Sequence, residues 1–338
     1  MPAIDVAGEF ETIERLFRPL AHPEWGRGLK DDVGVLPSRP GFDLILTKDA
    51  IVEGVHFLPD DPLDLVARKL LRVNLSDLAA KGAEPFGYLL ACHWSGRCGW
   101  PEREAFAEGL RQDQESFGVH LIGGDTVNTP GPASFSATLL GWAPKGRAVS
   151  RAGARPGDLV LVTGTIGDGA LGLKAVQGRL GLEPERLEAL ADRYRLPQPR
   201  LEMREAILAH ASAAADVSDG LLADAARIAE ASDVGLSIDL GRLPLSLAAT
   251  AWLETRVDPE ASRVMLATGG DDYEVVLTCP PGGEAALKRH ADQHHLRLTA
   301  LGRVTATSGL QVVLNGGPVE VERLGWRHDA SPTVSKPG

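Results

Sequence analysis

The amino-acid sequence predicts an α/β protein of the α+β kind, built from two domains. Strand-like and helix-like segments alternate almost throughout, as expected of a layered mixed fold. The 338 residues correspond to about two domains at roughly 150 residues each. Near the middle, "SRAGARPGDLVLVTG" (150–164) interrupts the pattern with glycine, proline and arginine and then starts a fresh apolar strand.

Taken in order, "FETIERLFRPL" has apolar residues at helical spacing and predicts an opening helix. Residues 42–57, "FDLILTKDAIVEGVHF", are β-rich. Residues 62–85 predict a helix, with Pro85 as its stop. "FGYLLACHW" predicts a strand, and "PEREAFAEGLRQDQESFG" an amphipathic helix. "VHLIGGDTVN" predicts a strand ending in a glycine turn, and "SFSATLLGWA" a further strand. A second set of helices and strands runs to about residue 325. The expected division is residues 1–149, residues 150–328, and a flexible polar tail over 329–338. "LSDLAAKGA" and "VSDGLLADAA" echo each other, one in each half.

Composition excludes several function classes. The chain is 43% hydrophobic and 24% charged, an ordinary globular balance. No apolar run approaches the ~18 residues of a membrane span. The acidic, amphipathic start fits neither a signal peptide nor a transit peptide. The net charge of −11, from 46 acids against 35 bases, argues against a nucleic-acid partner, which needs a basic face. Cys92, Cys98 and Cys279 have no paired metal spacing and read as thiols of a reducing cytoplasm. His290, His294 and His295 fall in a polar helix and read as solvated.

"GDGALG" (Gly167–Gly172) matches G-x-G-x-x-G after a strand and before a helix. A dinucleotide fold needs a second strand next, but "LGLEPERLEALADRYRLP" continues as helix. A tight strand-to-helix turn is therefore expected. No G-x-x-x-x-G-K-[ST] occurs, so there is no P-loop.

Acids recur at the ends of apolar runs and beside glycines: Asp31 and Asp32 in "LKDDVGV", Asp49 with Thr47 and His56 in "LTKDAIVEGVHF", and Asp77 with Ser76 in "VNLSDLAAKGA". Asp125 follows in "IGGDTVN", Asp216 and Asp219 flank Ser218 in "DVSDG", and Asp271, Asp272 and Glu274 lie in "GGDDYEVVL". Singly, each suits a helix cap or turn. Six such stretches together suggest hard oxygen ligands for Mg²⁺, which is held by a few carboxylates plus substrate phosphates.

The series "KDDVGVL", "TKDAIVEGVHF", "VNLSDLAAKGAEP", "IGGDTV", "RPGDLVLVTGTIGDGALGL", "DVSDGLLAD" and "GGDDYEVVLT" resembles the thiamine-monophosphate kinase family, in order and spacing, over about residues 8 to 328. "VEGVHF" and the closing Trp326 point to that branch of the aminoimidazole ribonucleotide synthetase-like superfamily. The resemblance implies a two-domain fold whose N-terminal domain forms a barrel across a homodimer. It also implies γ-phosphoryl transfer from ATP to thiamine monophosphate in the cytoplasm.

The resemblance further implies that Asp32, Asp49, Asp77, Asp125, Asp216 and Asp219 hold several Mg²⁺ ions, with Thr47 as an additional oxygen ligand. Gly124, Asp125, Arg147 and Ser218 would meet ATP, and His56, Asp271 and Trp326 the thiamine phosphate, the tryptophan by stacking. Three departures from the family's usual pattern stand out. Lys48 replaces a second hydroxyl residue and could offer a metal only its backbone carbonyl. Asp271 replaces a longer glutamate, and "KDD" replaces "GDD". No general base is expected, because a phosphate acceptor is already anionic near neutrality. The rival readings are another ATP-dependent enzyme of the superfamily and a non-catalytic Mg–ATP-binding regulator. Against two superfamily members, no cysteine lies near the N-terminus, as selenophosphate synthetase would require, and the chain ends "SKPG" rather than in a cysteine.

Overall fold

A computed structural model describes residues 8–326; the tail expected over 329–338 lies outside the described residues. The opening segment is helical, as α1 (Glu9–Thr12) continues through a π turn (Ile13–Phe17) and a 3₁₀ turn (Arg18–Leu20). The first half then folds as β1 (Phe42–Val52), α2 (Leu63–Ala80), β2 (Glu84–Ser95), α3 (Trp100–Phe117), β3 (His120–Thr129) and β4 (Ser134–Pro144). Its sheet has the order β1-β4-β2-β3. β4 lies antiparallel to β1 and β2, and β2 is parallel to β3.

One face of this sheet is covered by α2 and α3. Leu70, Leu71, Leu75 and Leu78 of α2 share a core with Tyr88, Leu90, Phe106, Leu110, Phe135 and Leu139. The other face is covered only at one end, where Trp25 and Leu36 pack on Phe86, Ile122 and Leu140, and is otherwise open. Because strand side chains alternate, β1 sends Ile45, Thr47, Asp49 and Ile51 toward α2, and leaves Leu44, Leu46, Lys48 and Ala50 exposed.

The second half contains β5 (Leu159–Thr163), α4 (Asp168–Val176), α5 (Pro184–Arg195), α6 (Arg204–His210), β6 (Ala213–Val217), α7 (Leu221–Ser232) and β7 (Gly235–Asp239). It continues with α8 (Leu247–Glu254), α9 (Pro259–Ala267), β8 (Glu274–Cys279), α10 (Glu284–Gln293), β9 (Leu298–Thr305), β10 (Gly309–Leu314) and β11 (Gly317–Pro318). Its sheet, β11-β10-β7-β9-β5-β8-β6, is antiparallel except where β10 joins β7. Apolar cores line both faces. One gathers Val160, Val162, Leu171, Leu222 and Ile228. The other gathers Leu161, Ile207, Leu277 and Leu287, and it also takes in Ala80 from the end of α2.

We propose the domain boundary between residues 149 and 150. The Val149 amide donates to the Lys81 carbonyl at the end of α2, whereas the Ser150 carbonyl accepts from Ala214 of β6, so consecutive residues are tied to different halves of the chain. No helix among the described residues is long and apolar enough to cross a membrane.

Three local expectations are corrected. α2 ends at Ala80, not at Pro85, because Gly82 takes a left-handed φ of 70° that closes a helix end without side-chain strain. Pro85 instead sits in β2 at a register shift, where a ladder tolerates a missing N–H. Gly123 and Gly124 lie inside β3 rather than in a turn: a Cβ on Gly124 would fall 1.8 Å from the Leu90 carbonyl oxygen. His290 is also not simply solvated, since its Nε2 lies 2.7 Å from the Glu202 carbonyl.

Candidate active site

Asp49 and Thr47 lie on the α2-facing side of β1, Asp77 lies in the last turns of α2, and Asp216 sits near the end of β6. Asp219 follows in the turn before α7. The two echoing Ser-Asp stretches thus meet. The Thr47 hydroxyl donates to Asp77 Oδ2, and the Asp49 amide donates 3.0 Å to Asn74 Oδ1 of α2. The turn holding Ser218 and Asp219 is pinned by Asp224, whose Oδ2 accepts both their amides at 3.0 and 3.1 Å. Gly220 is required there, at φ 122° with the Thr268 backbone 2.9 Å from any added Cβ.

The electrostatics of this cluster are unfavourable as it stands. Burial, then Asp77 and Asp219, push the Asp49 carboxyl up to about 6. Burial, followed by Asp77, Asp224 and Asp49, pushes Asp216 well above the usual carboxylate range. Asp219 is ion-paired to Arg227, but among the described residues no salt bridge reaches Asp49, Asp77 or Asp216. Crowded carboxylates without a paired cation favour a divalent ion. Among the described residues no three His, Cys, Asp or Glu side chains stand close enough together to hold a metal ion by themselves. A Mg²⁺ ion here would take only a few of these carboxylates and complete its shell with waters and substrate oxygens.

Beside these acids opens a cleft of about 750 Å³ lined by Asp49, Ser218, Asp219, His56, Asp271 and Trp326. All three residues assigned to the thiamine phosphate therefore share one cleft with the metal-type carboxylates. His56 is oriented by the Val52 amide, which donates 3.1 Å to its Nδ1. Trp326 is anchored by its amide, 2.8 Å from the Asp219 carbonyl, while its ring stays 54% exposed. Asp271 has a left-handed φ of 69°, uncommon for a residue with a Cβ.

The neighbouring Asp272 resolves the glycine motif. Its buried carboxylate accepts from the Gly167 amide at 2.8 Å and the Gly169 amide at 3.0 Å. The chain's own carboxylate occupies the place where a dinucleotide fold would seat pyrophosphate, so "GDGALG" is a structural turn.

The remaining assigned residues lie elsewhere in the chain. Asp125 is exposed on the open face of β3, in a register row that runs Ala50, Ser136, Ala91, Asp125. Three strand spacings of ~4.8 Å put it roughly 14 Å from β1. Gly124 precedes it, and Asp32 lies in the exposed loop whose Val35 and Gly34 pack against Trp25 and Ile122 beside β3. Arg147 follows the β4 end, where Pro144 pairs with Phe42, and donates 3.2 Å to the Leu208 carbonyl. The seven steps along the strand from Phe42 to Asp49 span roughly 24 Å. Lys48 points to the open face, with Nζ 3.1 Å from Ser136 Oγ; its side chain is outside the cluster.

Sequence reasoning missed a second layer. Lys69, Arg72 and Ser76 of α2 all reach into the C-terminal half, to Asp271, the Pro197 carbonyl and the Tyr273 carbonyl. Their signal was present as polar residues at i, i+3 and i+7 within an apolar helix.

Comparison with known proteins bears on the family and the fold. The family models for AIR synthase related proteins match in both parts, the N-terminal domain over residues 30–143 and the C-terminal domain over 155–315. The thiamine-monophosphate kinase of Caulobacter vibrioides is 49% identical over 328 residues, covering 97% of this chain and 92% of that protein. The chain belongs to the thiamine-monophosphate kinase family. A crystal structure of the family from Stenotrophomonas maltophilia K279a superposes with a TM-score of 0.79 at 36% identity, covering 89% of this chain and 94% of that one. A further structure, of AaThiL complexed with AMPPCP and TMP, gives a TM-score of 0.76 at 31% identity, covering 87% and 89% of the two chains. The two-domain fold of the family is therefore the fold of this chain.

Proposed function

We propose that the chain transfers the γ-phosphoryl group of ATP to thiamine monophosphate, giving thiamine diphosphate and ADP. The observation that carries this reading is the single cleft joining Asp49, Ser218 and Asp219 to His56, Asp271 and Trp326. Family membership and the relative complexed with AMPPCP and TMP support the same substrates. Asp49, Asp77, Asp216 and Asp219, with Thr47, would hold Mg²⁺, which when bound supplies charge neutralisation between two anionic phosphates. The residues themselves position the reactants. Trp326, half-exposed at the cleft, would stack on an aromatic heterocycle, Asp271 and His56 would border the acceptor, and the Ser218 hydroxyl would meet a phosphate. No side chain need remove a proton.

The test is formation of ADP and thiamine diphosphate from ATP and thiamine monophosphate, with Mg²⁺ and with EDTA. Magnesium-dependent product is expected. Folded protein that gave none would end this reading, and ATP binding without ADP would identify a regulator.

We further propose a homodimer formed through the open face of the N-terminal sheet, closing it into a barrel. Leu44, Leu46, Leu89 and Val127 are exposed on that face, an apolar area that favours self-association. Asp32, Gly124, Asp125 and Arg147 lie apart from their own chain's cluster, and a second copy would bring equivalent residues within its reach. Leu46→Asp is expected to yield monomer in sedimentation equilibrium and to lower turnover at least tenfold. A dimer unaffected by that change would exclude this face. The three cysteines are free and buried, which supports a reducing, cytoplasmic setting.

A further inference from the structure

Lys69 is only 3% exposed, and a buried ammonium is costly unless its donors are met. It lies on α2, yet its contacts come from three other segments. Nζ donates 3.1 Å to the His56 carbonyl in the β1–α2 connection and 3.2 Å to Asp271 Oδ2 in the C-terminal half. It also sits 3.8 Å over the ring of Tyr194 in α5, a favourable cation–π position. The Tyr194 hydroxyl approaches the same His56 carbonyl at 3.4 Å.

Asp271 needs that hold. Its backbone is left-handed, as is that of Tyr273 at φ 50°, so the segment leaves a low-energy conformation to present the carboxylate to the cleft. Backbone bonds from Asp271 to the Ser218 carbonyl (2.9 Å) and from Tyr273 to the Val217 carbonyl (2.8 Å) fix the chain. The carboxylate is fixed separately: the Tyr273 hydroxyl donates 3.2 Å to Oδ1, and Lys69 takes Oδ2. One ammonium therefore sets the position of two substrate-facing residues contributed by different domains.

We propose that Lys69 is a positioning residue for the thiamine phosphate, acting through Asp271 and the His56 segment; this rests on the function proposed above. Among the described residues its contacts are with His56, Asp271 and Tyr194 and not with Asp49, Asp77, Asp216 or Asp219, so its effect is expected to fall on the acceptor more than on ATP. Lys69→Met is expected to raise the KM for thiamine monophosphate at least tenfold, with the KM for ATP changed less than twofold. Lys69→Arg keeps a cation against Asp271 and is expected to recover part of the loss. In an Asp271→Ala background, Lys69→Met should add less than a twofold further change, since residues acting as a unit are not additive.

A second readout does not depend on turnover. Amide hydrogen exchange over residues 268–274 of the ligand-free protein should quicken at least tenfold in Lys69→Met and slow again in Lys69→Arg. A lower melting temperature with unchanged KM values would overturn the proposal, as would fully additive effects with Asp271→Ala or unaltered exchange over 268–274. Wild-type protein that formed no thiamine diphosphate would defeat the substrate reading instead, and the exchange measurement would still decide whether Lys69 holds this segment.

Discussion

Replacing Asp49 with asparagine is expected to reduce turnover by roughly 10³-fold, the scale of losing a group that organises charge at a transferring phosphoryl, while leaving the protein folded. Both halves of that expectation follow from one observation. The Asp49 carboxyl is held up near 6 by burial and by the negative charges of Asp77 and Asp219, so its ionised form is a burden on the folded protein at neutral pH. Asparagine keeps the volume and removes the charge. Melting temperature should stay level or rise as kcat collapses, a trade typical of active-site residues. Steady-state kinetics beside thermal melts check it, and near-normal kcat would remove Asp49 from the metal-holding set. Asp219→Asn should lose activity similarly. It should gain less stability, because the Asp219 carboxylate already has the Arg227 guanidinium.

The largest effect on stability is expected at Glu274, in the same acidic stretch but with the opposite character. Its fully buried carboxylate accepts from the Thr163 hydroxyl at 2.7 Å, from Arg193 at 2.9 Å and from Arg200 Nε at 2.6 Å. Burial alone would raise its pKa, but the Arg200 guanidinium, its hydrogen bonds and then Arg193 outweigh burial and hold the carboxyl below its usual range. Glu274→Gln leaves two guanidinium groups facing a neutral amide and should cost about 3–5 kcal/mol. For a chain of this size that is roughly a 4–7 °C fall in Tm. Because the folded-state pKa is depressed, the carboxylate's contribution is fully present above the ordinary value of 4.5. It is lost as pH falls through the lowered folded-state value. The gap between wild type and Glu274→Gln in calorimetric melts should therefore be constant near neutrality and narrow only below about pH 4.5. A gap that widened in acid would contradict this account.

Much of the site is legible in the sequence because the acids sit where apolar runs end, and run ends are where strands and helices deliver side chains to an edge. Asp49, Ser218 and Asp219 line one cleft with His56, Asp271 and Trp326, and Asp216 lies close enough to Asp77 and Asp49 to feel their charge. Placing Asp32, Asp125 and Arg147 away from that cluster requires the sheet order. Periodicity assigns Asp125 to a strand but cannot say that β3 lies at the edge opposite β1. Asp272 and Glu274 look like members of the acidic set, and only their partners separate them from it. One caps a glycine turn, and the other neutralises two arginines. Gly124 and Pro85 mislead for a related reason: a glycine demanded by close strand approach, or a proline at a register shift, looks locally identical to one in a turn.

α2 belongs to both halves at once. Its leucines fill the first core, its last residue enters the second, and Lys69, Arg72, Ser76 and Lys81 all bond across. Neither half could come apart from the other without uncovering Ala80 and stripping the buried Lys69 of Asp271. The two sheets are therefore expected to melt as one cooperative unit, with hinge opening between them disfavoured as a route into the cleft. Substrates must enter past the shorter segments that border it, the β1–α2 connection and the stretch carrying Trp326.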